Sequence, residues 1–331
     1  MAAADRWTPR LSRPALSPSP RRASTPKPET PAKQRRAAKS LRTLHDETAH
    51  TALMTCMAPT GRDVLMVDYS GEWPVIELSH EGETLLSGTW AFSLSADDEP
   101  VPFTGAWDWC CFHTDSDGDY LELEATGMEG WRIERQLFLG RNCHRLLMAE
   151  TVCAPEGVGE VLVESWLPLA PGVRSAFGLD TREGKLMRGK SSRPVARLFP
   201  LALDQDRVQK AWGACERIDA EEENDLPEGA AFSLHGSGRG LYSPLVIDWH
   251  PDRRKSPARW RTLTCTQEGR KLAPFEAAGH RLQVGDEQWL VYRQIERSEV
   301  GRAVLGYHTR YESVVGRVQP AGTIKELLQI E

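Results

Sequence analysis

The run from Gly130 to Val152, GWRIERQLFLGRNCHRLLMAETV, constrains the fold of this chain more than any other stretch. Two apolar-alternating segments flank a Gly140–Asn142 turn, which is the pattern of a β-hairpin. Successive side chains on a strand point to opposite faces, so Trp131, Ile133, Leu137 and Leu139 share one face, and Arg135 sits among them. With Arg141 and Asn142 as the loop, Gly140 pairs with Cys143, and the facing set becomes His144, Leu146, Met148, Glu150 and Val152. That register sets Glu150 diagonal to Arg135. A charge on an apolar face needs a partner, so the two are expected to form a structural ion pair that fixes register. The other face carries Arg132, Glu134, Gln136 and Phe138.

The same texture runs through most of the chain. After Pro59-Thr60-Gly61, apolar-alternating segments such as Val64–Tyr69, Val75–Ser79, Asp119–Thr126, Glu160–Pro168, Leu241–Trp249, Gln288–Ile295 and Ile324–Ile330 are separated by turn signals. Asp117-Gly118, Glu183-Gly184, Glu268-Gly269 and Pro320-Ala321-Gly322 are among those signals, at the spacing of sandwiches and barrels. No long helical period and no alternation of strands with helices follows residue 55, which excludes a parallel α/β sheet. The expected fold is all-β, a large antiparallel β-sandwich of the super-sandwich type over residues 56–331, preceded by a disordered basic arm and one short helix. The helix is placed at 33–55, where Ala37, Leu41, Leu44 and Ala52 fall near helical spacing amid basic residues. The arm is residues 1–32, rich in Pro, Ser and Arg and too poor in apolar side chains to order itself.

The net charge of −6 conceals two parts, since residues 1–50 carry 11 Lys and Arg against four Asp and Glu. A basic arm attracts acidic surfaces, but it holds one aromatic, Trp7, and no recognition motif, so nucleic acid is not an expected partner. Seven Cys, an odd number in a long chain, fit reduced thiols and a cytoplasmic setting better than a disulfide framework. No apolar run reaches the ~18 residues of a membrane span, and no apolar segment of a secretory leader is present. Neither CxxC nor HxxxH spacing occurs, so no metal and no cofactor is expected.

Candidate chemistry gathers on the strands next to the hairpin. If the Asp117-Gly118 turn joins Trp107–Thr114 to Asp119–Thr126, Cys110 and Phe112 face inward with Leu121, Leu123 and Ala125. Trp107, Trp109 and His113 then share the opposite face with Tyr120, Glu122 and Glu124, and that face continues into Arg132 and Glu134. Flat rings beside carboxylates and a guanidinium suit sugars, because pyranose C–H faces stack on rings while hydroxyls need paired donors and acceptors. The same face also fits a sheet that is polar because it meets water, or one whose tryptophans are covered by a helix or loop. Elsewhere, Asp115-Ser-Asp117-Gly-Asp119 lacks the residue order of a calcium loop and reads as a hairpin turn. His235-Gly-Ser-Gly-Arg-Gly240 lacks the Lys and following helix of a phosphate loop. Tyr307, His308 and Tyr311 place two phenols and an imidazole close together in sequence, although such residues are more often packing groups.

Trp131–Val152, with Gln288-Trp-Leu-Val-Tyr-Arg-Gln-Ile295 and Arg302-Ala-Val-Leu-Gly-Tyr-His308, resembles the β-sandwich portion of heparinase II/III-like proteins and their uncharacterised bacterial relatives. The resemblance spans residues 60–331 in texture. It implies a sandwich that in the family follows a helical toroid, and a role in cleaving acidic glycans by elimination. About 55 residues precede the strands here, so no toroid is expected on this chain and no catalytic residue is carried over. Three functions follow as expectations: binding or helping to process acidic carbohydrate, a non-enzymatic contact with another protein, or a lyase-like activity that depends on a partner chain. Oligomeric state is left open.

Overall fold

Apolar side chains recurring at every second position make strands of up to nine residues, and these strands stack as three antiparallel layers in the computed structural model. The structure describes residues 42–58, 60–207, 213–218 and 229–331. The basic arm at 1–32 and most of the acidic segment at 217–229 lie outside them. The middle layer is an eight-stranded sheet in the order Val173–Phe177, Gly184–Arg188, Pro194–Pro200, Gly240–Asp248, Arg145–Cys153, Arg132–Gly140, Gly118–Thr126 and Ala106–Thr114. The hairpin of the opening sequence lies inside that sheet, and both its strands are buried along almost their whole length.

Two five-stranded sheets cover one face. The first runs Leu44–Asp46, Thr51–Ala58, Gly61–Asp68, Val75–His80 and Glu83–Thr89; the second includes Gly229–Ser237, Glu160–Pro168 and Phe92–Ala96. Leu65, Val67, Ile76 and Leu78 of the first, with Val163 and Phe232 of the second, pack on Leu121, Ile133, Leu137, Leu146 and Met148. The opposite face meets a third five-stranded sheet, Ala258–Leu263, Ala277–Val284, Glu287–Gln294, Ser313–Val318 and Ile324–Ile330. There Tyr120, Phe138, Leu147 and Val246 form a second core with Leu282, Trp289 and Val291. A small sheet that includes Cys265–Gln267 and Arg302–Val304 closes a third cluster around Tyr292.

Two expectations change. Residues 33–41 lie outside the described residues, but the remainder of the expected helix at 33–55 is two strands joined by a turn at 47–50: Leu44–Asp46 and Thr51–Ala58 pair antiparallel with each other, and the latter with Gly61–Asp68. The decisive pattern is Ala52, Met54 and Cys56, a two-residue repeat that is wholly buried, and Thr51–Ala58 is held along its whole length by pairing with Gly61–Asp68. The sandwich therefore begins before residue 56. The hairpin loop also has four residues, 141–144, with Gly140 opposite Arg145. This two-residue shift keeps every side chain on its expected face and moves Glu150 from diagonal to directly opposite Arg135.

Candidate functional site

The face expected to bind a ligand is divided and covered. The strand Ala106–Thr114 carries a β-bulge between Trp109 and Cys111, with Cys110 as the extra residue. Before the bulge, Trp107 and Trp109 pair with Ala125 and Leu123 and pack into the first core; after it, Cys111 and His113 pair with Glu122 and Tyr120. The tryptophans thus lie on the opposite face from Glu122. His113 is exposed and 3.2 Å from Asp115, and Glu124 is half-buried opposite Asp108.

Tyr120, Glu122, Glu134 and Gln136 face the third sheet, not water. Arg293 of that sheet reaches between them, with Nη2 at 2.6 Å from Glu122 Oε1 and also bonded to Glu134. Tyr120 donates to Glu122 Oε2 at 2.5 Å, and Gln136 Nε2 donates to Tyr120 and Ser313. Arg132 bonds Glu134 at 2.7 Å and Glu312 at 3.2 Å. Burial pushes the Glu122 carboxyl up despite Arg293, while Glu122 and Glu134 outweigh burial and hold Arg293 protonated. This is a polar clamp between layers, with no room for a sugar ring.

Arg135 and Glu150 meet on the other face, Nη2 to Oε1 at 3.0 Å, both buried. The guanidinium lies over Trp90 at 4.2 Å, Trp107 at 4.8 Å and Phe92 at 5.0 Å, and it donates to the carbonyl of Trp90. Ser165 also donates to Glu150. Burial lowers Arg135 to about 10 and raises Glu150, each shift only partly offset by the partner. Tyr307 and His308 are successive residues on one strand and so point to opposite faces.

A different centre opens to solvent. Asp63 begins on the first sheet, His80 ends the neighbouring strand directly opposite it, and His144 closes the hairpin loop of the middle sheet. The two rings converge on one carboxylate: His80 Nδ1 is 2.8 Å from Asp63 Oδ1 and His144 Nδ1 is 2.6 Å from Oδ2. Trp249 Nε1 donates to Asp63 Oδ1 at 2.8 Å, and the hydroxyl of Thr60 bonds His144 Nε2. Thr60 is exposed and His80 is half-buried, whereas Asp63 and His144 are sealed. His144 holds φ of 49°, a left-handed conformation rare for a side chain with Cβ. Its contacts with Asp63 and Thr60 retain it there. His250 lies 5.5 Å from the His144 ring, and burial, Arg253 and His144 together lower its pKa.

The donor atoms of Asp63, His80 and His144 lie within 4.8 Å of one another, so the three side chains can hold a metal ion. The hydroxyl, imidazole and carboxylate of Thr60, His144 and Asp63 also make a chain along which a proton can move. Sequence spacing missed this group because its members stand 17 and 64 residues apart, and no short motif brings them together.

No protein-family model matches the chain, and no curated protein matches its sequence. Among solved structures, a heparan sulfate lyase, HepC from Pedobacter heparinus, matches with a TM-score of 0.52 at 10% identity, over 78% of this chain and 43% of the lyase. A mutant of the same lyase gives the same values. The chain thus spans less than half the length of the lyase, and what the two share is the β-sandwich fold.

Proposed function

We propose that this chain binds acidic carbohydrate at the mouth of the Asp63–His80–His144 centre. The reading is carried by the sandwich it has in common with a heparan sulfate lyase over 78% of its length. The location follows from exposure. The face of the middle sheet that looked suited to sugars is filled by Arg293 of the third sheet, whereas Thr60 is exposed and His80 half-buried, and both connect to the buried carboxylate of Asp63, Thr60 through His144. An imidazole oriented by Asp63 through Nδ1 leaves Nε2 to meet a sugar hydroxyl or carboxylate.

Calorimetric titration of the full chain with heparan sulfate oligosaccharides tests the reading. Saturable binding is expected, at least tenfold weaker in His80→Gln and Thr60→Val, with melting temperatures close to that of the parent. Absence of binding to heparan sulfate, heparin and other uronate-containing glycans by folded protein would overturn it, as would unchanged affinity in both variants.

A further inference from the structure

Arg132, Arg135, Arg145, Arg197 and Arg293, all on strands, each have a carboxylate oxygen within 3.0 Å. The outer face of the third sheet is different. Arg259 and Arg261 alternate with the buried Trp260 on the edge strand Ala258–Leu263, so both point away from the second core. The neighbouring strand places Arg281 directly opposite Arg261 and Gln283 opposite Arg259, and Gln288 stands opposite Gln283 one strand further in. Arg259 and Arg261 are exposed and Arg281 is half-buried. None of the three pairs with a carboxylate among the described residues, and Arg281 donates instead to Gln288 Oε1 at 2.5 Å. Like charges set directly opposite across a strand pair repel. The chain has 47 Asp and Glu, yet none pairs here, and Lys255, exposed just ahead of the strand, adds to the same sign. The face is closed on one side only: at Gly279 a side chain would meet Val304 of the small sheet at 2.6 Å.

We infer that this outer face binds a sulfated glycan, with one sulfo group held between Arg261 and Arg281. The anion supplies the negative charge that the facing pair lacks. A sulfo group has three outer oxygens and reaches two guanidiniums at once, whereas the two oxygens of a carboxylate are matched by a single guanidinium fork. Arg259 and Arg261 stand two residues apart on one strand, about 6.5–7 Å, so a second charged group along the same glycan meets Arg259. The amides serve hydroxyls. Gln283 Nε2 donates to the carbonyl of Gly285 at 3.0 Å and Gln288 Oε1 accepts from Arg281, which leaves Gln283 Oε1 to accept and Gln288 Nε2 to donate.

A phosphate ester carries the same oxygens, and a nucleic-acid backbone offers them in series. The face favours the glycan. Trp260 points to the interior, so no aromatic side chain stands among these residues on which a base could stack. Arginine forks and amide groups on a sheet face match an array of sulfo groups and hydroxyls without one. The inference rests on the acidic-carbohydrate reading for its class of ligand, but it concerns a surface of the third sheet and not the mouth of the Asp63–His80–His144 centre.

The test titrates the full chain, by calorimetry over a range of salt concentrations, with a heparin octasaccharide, an unsulfated uronate octasaccharide and a duplex DNA of equal charge. The heparin fragment is expected to bind more weakly as salt rises. In the double variant Arg261→Gln with Arg281→Gln its affinity should fall at least ~10-fold, and its salt dependence should flatten by up to about one log unit per charge removed. Any binding of the unsulfated fragment should be the same in parent and double variant. Because neutralising Arg261 removes the repulsion, Arg261→Gln alone should melt at or above the temperature of the parent. Unchanged heparin affinity and salt dependence in the folded double variant would overturn the inference, as would DNA binding tighter than heparin binding and lost in the same variant. Arg259→Gln, at an exposed position, is the second variant should the first fail to fold: a loss of about threefold or more is expected, and unchanged heparin affinity would overturn the inference equally. The two readings fail separately. Loss confined to His80→Gln and Thr60→Val removes this surface and leaves the proposed site, whereas loss confined to the arginine variants does the reverse.

Discussion

His280 sits where it cannot readily take a proton. Fully enclosed on the third sheet near Tyr242, it has its pKa lowered to about 4 by burial. The folded chain therefore keeps the ring neutral at a pH where the unfolded chain, with an ordinary value near 6.5, has already protonated it. Stability is unaffected by this group above pH 6.5 and falls as the pH drops from 6.5 toward about 4, because the unfolded state binds the extra proton. Between pH 7 and pH 5 the loss amounts to about 2 kcal/mol. Chemical denaturation at the two pH values should show that loss in the parent chain and a smaller one in His280→Gln; equal losses in both would remove the explanation. Nothing near His280 in the sequence foretold this, since its burial depends on the middle sheet lying across it.

At the scale of single elements, the hairpin shows how far strand patterning carries. Which residues face which way was legible from alternation alone, and a register error of two residues left every face assignment intact. The loop length was not legible, because Asn142 and His144 both adopt left-handed conformations that Gly or Asn would have announced at only one of the two positions. With Arg135 directly opposite Glu150, removing one partner leaves the other charge stranded in an aromatic cage. Arg135→Met is expected to destabilise by about 3–5 kcal/mol, whereas Arg135→Met with Glu150→Leu should recover most of that loss. Urea unfolding of the parent, both single variants and the double variant makes the comparison; additive losses would show that the two residues do not act as a pair. The neighbouring strand teaches the opposite lesson. A single inserted residue at Cys110 reverses the faces on one side of it, so the two tryptophans and the acidic residues that alternation placed together are separated by the sheet.

For the molecule as a whole, the third layer decides what the polar face does. Arg293 lies between Glu122 and Glu134 and joins that layer to the middle sheet. Arg293→Met leaves the buried Glu122 without its cation and Glu134 with Arg132 alone, and should destabilise by about 3–5 kcal/mol. Amide exchange should quicken first in Glu287–Gln294 and Ser313–Val318, and uniform loss of protection throughout the chain would contradict a clamp specific to this interface. Hydrophobic periodicity by itself determined the all-β class, most of the strands after residue 60 and the buried identity of Arg135 and Glu150, because alternation is written locally, residue by residue. Only the tertiary structure decided that a polar strand face is interior, since a sequence does not say which layer will cover a sheet. The same holds for Asp63, His80 and His144. Their donor atoms meet because two strands pair and a hairpin loop from another sheet closes over them, and long-range packing of that kind leaves no mark in the spacing of the residues it unites.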